Sequence, residues 1–173
     1  MADKELILVR HAKSSWGDIN LDDHDRPLNG RGERNAPEMG VRLAGTGVRP
    51  QAMFTSTALR AATTAEIIAE AIGFPQGEIV KEPGLYHAGV EDWLTWITGL
   101  DNAWNTVMAF GHNPGITELV AGVWELPILN VPTCGVVSLR FEIPEWKNAA
   151  DGKPTDALFD YPKNEMGMSE RLL

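Results

Sequence analysis

Two histidines each follow a short apolar run, in an arrangement that would bring them to a single ligand. Residues 6–9 are Leu-Ile-Leu-Val and lead into Arg10 and His11, while residues 107–110 are Val-Met-Ala-Phe and lead through a glycine into His112. Short continuous apolar runs are typical of strands that are buried on both faces of a parallel sheet. Ligands of open α/β sheets bind at the carboxyl ends of such strands. We therefore expect Arg10 and both histidines to meet at one ligand-binding edge.

A third segment is expected to add positive charge to this edge. Residues 52–54 form a short apolar run, and the helical pattern that follows carries Arg60 in its first turn, shortly after Ser56. A cation is unfavourable at a helix N-terminus, so Arg60 is better explained if an anion lies between its guanidinium and the free backbone amides. We also expect Asn113 to cap a helix that starts at Pro114, which would supply a second set of free amides. Together these groups predict a site for a phosphoryl group.

The apolar spacing also predicts the elements that position these residues. Short apolar runs alternate with amphipathic stretches, as strands alternate with crossover helices in α/β proteins. Residues 144–173 contain three prolines and scattered charges, and we expect them to form a tail that packs over the domain or partly frays. The predicted strands are 6–9, 52–54, 78–81, 106–110 and 135–143, and the predicted helices fall within 36–43, 61–72, 90–97 and 116–123.

Length and composition limit the classes of protein and of partner. The chain has 173 residues, of which 43% are hydrophobic and 23% charged, so we expect one domain over residues 1–173 and not a disordered protein. The formal net charge of −9 disfavours nucleic acid and anionic membranes as partners. The single cysteine, Cys134, excludes an intramolecular disulfide and a multi-cysteine zinc site. No apolar run approaches the roughly eighteen residues of a membrane helix and no signal-peptide pattern is present, so we expect a cytoplasmic protein.

Four segments, taken in order, resemble the signatures of the histidine phosphatase superfamily. The segment at 10–16 and the Arg-Pro-Leu stretch at 26–28 are similar to those of its small phosphohistidine phosphatase branch, the SixA type. The resemblance covers about residues 5–142 and implies the phosphoglycerate mutase-like fold, a three-layer α/β/α sandwich with a mostly parallel central sheet. The four segments are Arg-His-Ala-Lys-Ser-Ser-Trp at 10–16, Asp-Arg-Pro-Leu-Asn-Gly-Arg-Gly at 25–32, Ser-Thr-Ala-Leu-Arg-Ala-Ala-Thr-Thr-Ala at 56–65 and Gly-His-Asn-Pro-Gly at 111–115.

By this resemblance His11 is the nucleophile, which takes up the phosphoryl group and is then freed by water. Arg10, Arg60 and His112 would hold the phosphoryl oxygens and stabilise the transferring group. The resemblance implies neither a metal nor a cofactor, because the arginines and helix dipoles supply the positive charge. The ligand would be a phosphorylated protein or a small phosphate ester. Further substrate contacts are expected from Ser15, Ser56, His87 and Asn113.

The leaving group decides which phosphate such a site can cleave. An alkoxide needs a proton from a general acid, whereas imidazole, with a pKa of about 6.5, leaves with little help. In mutase-like relatives the acid is a glutamate, and His87 takes that place in the segment 85–89 here. The loss of the glutamate favours phosphohistidine on a partner protein as the substrate. A protonated His87, or Glu82, could still serve a small-molecule phosphomonoesterase, and a non-catalytic module that binds phospho-ligands is a further alternative.

Two other patterns suggest different chemistry. Cys134 and Arg140 have the Cys-x5-Arg spacing of cysteine-dependent tyrosine phosphatases, but the residues between them are predicted to be a strand, about 20 Å long, which separates the two ends. Cys134 is therefore interpreted as a small buried hydrophobe. Residues 22–25, Asp-Asp-His-Asp, are interpreted as a solvated acidic loop beside the mouth of the site and not as a metal site. Trp16 and residues 126–132 are expected to line the same mouth.

Overall fold

A six-stranded sheet forms the centre of the protein, whose computed structural model describes residues 3–167 and 171–173. Its strands are β1 (Asp3–Arg10), β2 (Ala52–Thr55), β3 (Val80–Lys81), β4 (Thr106–Gly111), β5 (Val136–Glu142) and β6 (Asp156–Asp160). They lie in the order β3-β2-β4-β1-β5-β6. The first four strands of the chain run parallel, and β5 and β6 are antiparallel to their neighbours. The prediction of a mostly parallel central sheet is confirmed.

Helices cover both faces of this sheet. The α-helices are α1 (Gly30–Gly45), α2 (Leu59–Ile72), α3 (Val90–Thr98) and α4 (Gly115–Glu118). Side chains alternate along β1, so Ile7 and Val9 join the apolar cluster of α1 and α2. Leu6 and Leu8 join the opposite cluster, which includes the buried side chains of α3 and α4. The predicted three-layer α/β/α arrangement is therefore confirmed.

The last predicted helix and the third predicted strand are both shorter than their patterns indicate. α4 ends at Glu118, and Leu119–Val123 continue as one wider π-helical turn. Leu119 and Val120 are both fully buried, and the wider turn accommodates these consecutive apolar side chains against the core. Where the third strand is predicted to begin, Gln76–Glu78 form a 3₁₀ turn. The strand that pairs with β2 is therefore only the two residues of β3.

The segment 144–173 contributes a strand that the sequence reasoning missed. β6 pairs antiparallel with β5 and completes the sheet. Val136 lies opposite Asp160 at one end of the pairing, and Arg140 lies opposite Asp156 at the other. Trp146 is fully buried, and its indole Nε1–H donates to the carbonyl of Trp104 at 2.9 Å. Of the two expected outcomes, packing or fraying, fraying does not apply to this part of the tail, because its prolines flank β6 and do not interrupt it. Among the described residues, no helix is both long and apolar enough to cross a membrane.

Candidate active site

The carboxyl ends of β1 and β4 meet at a cavity of about 250 Å³. The two strands pair in parallel as far as Arg10 and Gly111, and the amide of His11 donates to the carbonyl of Gly111 at 3.0 Å. This register places His11 and His112 side by side, with 5.2 Å between their ring centres. Six of the predicted site residues line the cavity, namely Arg10, His11, Arg60, His87, His112 and Asn113.

His11 is held in one protonation state and one tautomer. Its ring is buried, and Nδ1 lies 2.7 Å from the carbonyl oxygen of Ala12. A carbonyl oxygen only accepts, so Nδ1 carries the proton and Nε2 keeps a free electron pair. Burial, assisted by the positive charges of Arg60 and Arg10, lowers the pKa of His11 to about 4. A neutral imidazole with an unprotonated Nε2 is able to act as a nucleophile.

His112 is fixed by one partner on each ring nitrogen. Nδ1 lies 3.4 Å from Nη2 of Arg60, and Nε2 lies 2.8 Å from Oγ of Ser56. A guanidinium only donates, so Nδ1 accepts and Nε2–H donates to the Ser56 hydroxyl. Burial, with the nearby His11 and Arg60, lowers the pKa of His112 to about 2. Ser56 is fully buried and outside the cavity lining, so it reaches a bound ligand only through His112.

Two arginines supply the positive charge of the cavity. Arg60 is 2% exposed and Arg10 is partly buried, and both line the cavity. Nη1 of Arg10 donates to the carbonyl of Val131 at 3.0 Å. The Nε–H group of each arginine is buried and has no acceptor among the described residues. Buried donors without an acceptor are rare, and an anion at the guanidinium groups would provide acceptor oxygens.

The two predicted helix N-termini differ in the structure. Arg60 lies in the first turn of α2, as predicted. The expected second N-terminus is wrong in detail, because α4 begins at Gly115 with Pro114 as its cap residue. The amide of Ile116 donates to the carbonyl of His112, and the amide of Thr117 donates to the Asn113 side chain at 3.2 Å. The amides of Ile116 and Thr117 are therefore used within the turn and are not free for an anion.

Asn113 instead ties the α4 turn to the loop that follows it. Its Nδ2 donates to the carbonyl of Val131 at 2.9 Å and to the side chain of Asn130 at 3.1 Å. Val131 also accepts from Arg10, so Asn113 and Arg10 hold the same loop beside the cavity. Within the expected mouth segment 126–132, Leu126, Ile128 and Val131 are buried in the core and Leu129 is fully exposed.

Asp23 is the central carboxylate of the site, and the sequence reasoning did not single it out. It accepts from the Tyr86 hydroxyl at 2.7 Å and from Nη2 of Arg60 at 3.0 Å. Arg26 contacts its other oxygen at 3.1 Å, and Nε2 of His87 lies 3.1 Å from Oδ2. Although burial raises the pKa of Asp23, hydrogen bonds from Tyr86 and Arg60 hold it well below its usual range. Asp23 is therefore an ionised group that organises its neighbours.

The prediction of a solvated acidic loop applies to the neighbours of Asp23 only. Asp22 and Asp25 are exposed, whereas Asp23 lines the cavity. The carbonyl of Asp23 also accepts from Nη1 of Arg60 at 2.6 Å. A run of acidic residues does not indicate which member faces inward, and the partners of Asp23 lie 37 and 63 positions further along the chain.

Ser14 occupies the place in the cavity that was predicted for its neighbour Ser15. Oγ of Ser15 accepts from the amide of Gly17 at 3.0 Å, and Ser15 does not line the cavity. Ser14 lines it, and its Oγ accepts from Nη1 of Arg26 at 2.8 Å. Successive side chains of an extended segment point to opposite sides, so a choice between adjacent serines depends on the backbone. Trp16 also lines the cavity, as expected, and stacks on Arg26 with 3.5 Å between guanidinium carbon and ring centre.

The two candidate proton donors are placed differently. His87 lines the cavity and is brought there by a close backbone approach, since a Cβ atom on Gly115 would lie 1.9 Å from the carbonyl oxygen of Ala88. Only glycine allows that approach. Glu82 lies outside the cavity lining, and its Oε1 accepts from the amide of Gly84 at 3.2 Å. Of the two, only His87 is placed to reach a bound substrate.

The alternative cysteine-based chemistry does not fit the structure. Cys134 is buried, and burial raises the pKa of its thiol to about 12. Most of the residues between Cys134 and Arg140 belong to the extended strand β5, and Arg140 is exposed. A thiol in that state is not a thiolate nucleophile at neutral pH.

Comparisons with known proteins agree with this geometry. A family model described as histidine phosphatase superfamily (branch 1) matches residues 6–115. An uncharacterised chloroplastic protein of Arabidopsis thaliana is 31% identical over 154 residues, which cover 84% of this chain and 70% of the relative. A candidate phosphohistidine phosphatase SixA from Agrobacterium tumefaciens matches with a TM-score of 0.74 and 27% identity over 90% of this chain and 97% of that one. A protein histidine phosphatase SixA in complex with tungstate shares the fold, with a TM-score of 0.73 and 21% identity over 91% and 97% of the two chains.

Proposed function

Because the chain belongs to the histidine phosphatase superfamily, we propose that it is a phosphatase in which His11 carries the phosphoryl group from substrate to water. The preferred substrate in this proposal is phosphohistidine on a partner protein. The observation that carries the proposal is the state of His11. It is a buried, neutral imidazole whose Nδ1 proton is held by Ala12, and it shares a cavity with Arg10 and Arg60.

The reaction would proceed in two displacements at phosphorus. Nε2 of His11 attacks phosphorus, the bond to the leaving group breaks, and the leaving group departs with the bonding electron pair. A water molecule then attacks the phosphorylated His11, one water proton is released, and the electron pair of the broken P–N bond returns to Nε2. Arg10 and Arg60 would stabilise the negative charge of the transferring group in both steps. This charge requirement is met by guanidinium groups, so the proposal needs no metal ion.

The residues around the cavity favour a leaving group that needs no carboxylic acid. Asp23 is ionised and cannot donate a proton, because its pKa lies well below the usual range. Glu82 lies outside the cavity lining. An imidazole leaving group protonated on its distal nitrogen departs as a neutral molecule and requires no further proton. The cavity is therefore better suited to a phosphorus–nitrogen bond than to a phosphomonoester.

The solved relatives support the same substrate class. The Agrobacterium protein is a candidate phosphohistidine phosphatase, and the one solved with tungstate is a protein histidine phosphatase. Tungstate is a phosphate-like oxyanion, so its presence in that protein supports the proposal that this chain binds phosphate-like anions. His87 supports a second candidate function, because Asp23, at 3.1 Å, could stabilise a protonated His87 as the acid of a phosphomonoesterase.

The proposal is tested by phosphate release from three substrates, with and without a metal chelator. The substrates are a histidine-phosphorylated protein, phosphoimidazole and a sugar phosphate. We expect kcat/KM for the two phosphorus–nitrogen substrates to exceed that for the sugar phosphate by at least about 100-fold, with no effect of chelator. His24→Asn, which changes a histidine outside the cavity lining, is the control for His11→Asn.

Four results would change the assignment. Full activity of His11→Asn or complete loss of activity with chelator would contradict the mechanism. Equal turnover of the sugar phosphate would identify a general phosphomonoesterase, and His87→Asn should then reduce that activity most. Binding of phosphate without any turnover would identify a phospho-ligand binding module.

A further inference from the structure

The loop after β1 exposes three large apolar side chains. Trp16, Ile19 and Leu21 are 72%, 93% and 39% exposed, and we call these three residues the apolar strip. With Asp18 they line a shallow cavity of about 310 Å³ on the protein surface. Single exposed apolar residues are common, but a contiguous group on one loop is typical of an interaction surface.

The apolar strip is continuous with the catalytic cavity. Trp16, Asp23 and Arg26 line both the shallow cavity and the cavity that contains His11. The side chain of Arg26 stands between the two, since it stacks on Trp16 and donates to Ser14. A polypeptide whose phosphorylated side chain enters the catalytic cavity would therefore lay its neighbouring residues against the strip.

The charge around the apolar strip is negative. Asp18, Asp22 and Asp25 are exposed on the same loop, and within residues 3–167 and 171–173 neither Asp18 nor Asp22 forms a salt bridge. The chain as a whole has a net charge of −9. A second copy of the protein would bring the same negative charge to this surface and be repelled. A partner with apolar and basic side chains is complementary to it.

We propose that the apolar strip docks the polypeptide that carries the phosphohistidine, through an apolar side chain flanked by lysine or arginine. This proposal rests on the proposed function, because the docked chain delivers its phosphohistidine to the cavity of His11. Trp16 would anchor the contact, since aromatic side chains at the centre of an interface contribute most to binding. Ile19 and Leu21 would select partners with an apolar residue near the phosphorylated one.

The test compares three probes that share the same phosphorus–nitrogen bond. The first is a phosphohistidine peptide with leucine and lysine around the phosphohistidine, and the second is the same peptide with serine in place of the leucine. The third is phosphoimidazole, which has no flanking chain. The variant is the double substitution Ile19→Ser and Leu21→Ser, which leaves Trp16 and its contact with Arg26 in place. The control is Val41→Ser, which removes a 69% exposed apolar side chain from α1, outside both cavities.

We expect wild type and Val41→Ser to prefer the leucine–lysine peptide by at least about tenfold in kcat/KM. In the double variant this preference should fall to about threefold or less, because KM for the leucine–lysine peptide rises. Turnover of phosphoimidazole should stay within about twofold of wild type. A preference that survives in the double variant, or is missing in wild type, overturns the docking proposal. An equal loss on phosphoimidazole overturns it as well, because the strip would then act on the cavity itself. Failure of wild type to cleave any of the three probes refutes the proposed function, and the docking proposal with it.

Discussion

The two ends of the central sheet each hold a cavity, and the larger one is at the wrong end for the chemistry. The cavity at the amino ends of β1 and β4 measures about 360 Å³, against about 250 Å³ at their carboxyl ends. Its two arginines, Arg49 and Arg140, are exposed, so water can satisfy their guanidinium groups, and its carboxylate, Glu5, accepts from Ser138 at 2.8 Å. At the carboxyl end, Arg10, Arg26 and Arg60 line a cavity whose one carboxylate, Asp23, contacts Arg26 and Arg60, beside two neutral histidines.

This difference shows that buried guanidinium donors without acceptors, and not volume, mark the site. Exposed guanidinium groups are hydrated and need no ligand to satisfy their donors. A cluster of guanidinium groups with unpaired Nε–H donors on Arg10 and Arg60 is completed by an anion. Variants of His11 and Arg60 at the carboxyl end of the sheet can therefore be compared with control variants of Arg140 and Arg49 at the amino end.

The largest effect is expected from His11. His11→Asn removes the proposed nucleophile, and we expect kcat/KM on phosphoimidazole to fall by at least about 1,000-fold. Arg140→Ala, at the amino end of the sheet, should remain within about twofold of wild type. Comparable losses in both variants would mean that the two cavities are not functionally distinct. Circular dichroism of both variants checks that the fold is retained.

The next effect is expected from Arg60. Arg60→Ala removes a buried guanidinium, and we expect kcat to fall by about 100- to 1,000-fold because the transferring phosphoryl group loses charge stabilisation. Arg60→Lys should restore little, because a lysine does not reproduce the planar donor geometry that Asp23 and a phosphoryl group would share. The matched control is Arg49→Ala, an arginine that lines the amino-end cavity. Steady-state kinetics that show full rescue by lysine would contradict this role.

A smaller effect concerns stability as a function of pH. The pKa of His11 is lowered to about 4, whereas an unfolded histidine has a pKa of about 6.5. Between these pH values the unfolded state binds more protons, so stability is lost as the pH falls through this window. Urea unfolding at pH 7 and pH 4.5 should show that wild type loses about 2–3 kcal/mol more than His11→Asn. Equal losses in the two proteins would mean that His11 titrates as an ordinary histidine.

Substitution of Asp23 is expected to lower kcat without weakening the binding of an anion. Asp23→Asn keeps the shape of the side chain but removes the charge that holds Arg60 and His87. We expect kcat to fall by about tenfold, while inorganic phosphate binds at least as tightly because no carboxylate competes for Arg60. Calorimetric titration with phosphate measures the second quantity. Phosphate binding that is about tenfold weaker would show that Asp23 is needed to build the anion site.

The smallest effect is expected from Glu82. Glu82→Gln should leave kcat/KM within about twofold on every phosphate substrate, because this side chain contacts Gly84 and lies outside the cavity lining. His87→Asn, in contrast, should change the rate on a phosphomonoester more than the rate on phosphoimidazole. A tenfold loss in Glu82→Gln on the phosphomonoester would return Glu82 to the role of general acid.

The sequence predicts the parts of the site that follow directly from strands. Arg10, His11 and His112 follow apolar runs, and parallel pairing of β1 with β4 is sufficient to bring them together. The same reasoning predicts Arg60 from its place at the start of α2. Contacts that depend on loop conformation are not predicted in this way. Asp23 reaches Arg60 and Tyr86 across long separations in the chain, and only the folded loop distinguishes it from Asp22 and Asp25.

The strands at the edge of the sheet are also hard to predict. β6 contains only five residues, with acidic residues at both ends, so its apolar run is too short to stand out among the charges of the tail. Its position depends on pairing with β5, which is a non-local interaction. The exchange between Ser14 and Ser15 has a similar cause, because the direction of each side chain depends on the isolated bridge between Ser14 and Leu28.

The central claim is that His11 becomes phosphorylated during turnover, and rapid-quench trapping tests it most directly. Enzyme is mixed with ³²P-labelled substrate, quenched with alkali within milliseconds, digested, and the labelled peptide is identified by mass spectrometry. We predict an acid-labile phosphoryl group on the peptide that contains His11, and no label on that peptide in His11→Asn. Label on another residue, or turnover by wild type with no phosphorylated enzyme at any time, would contradict the account.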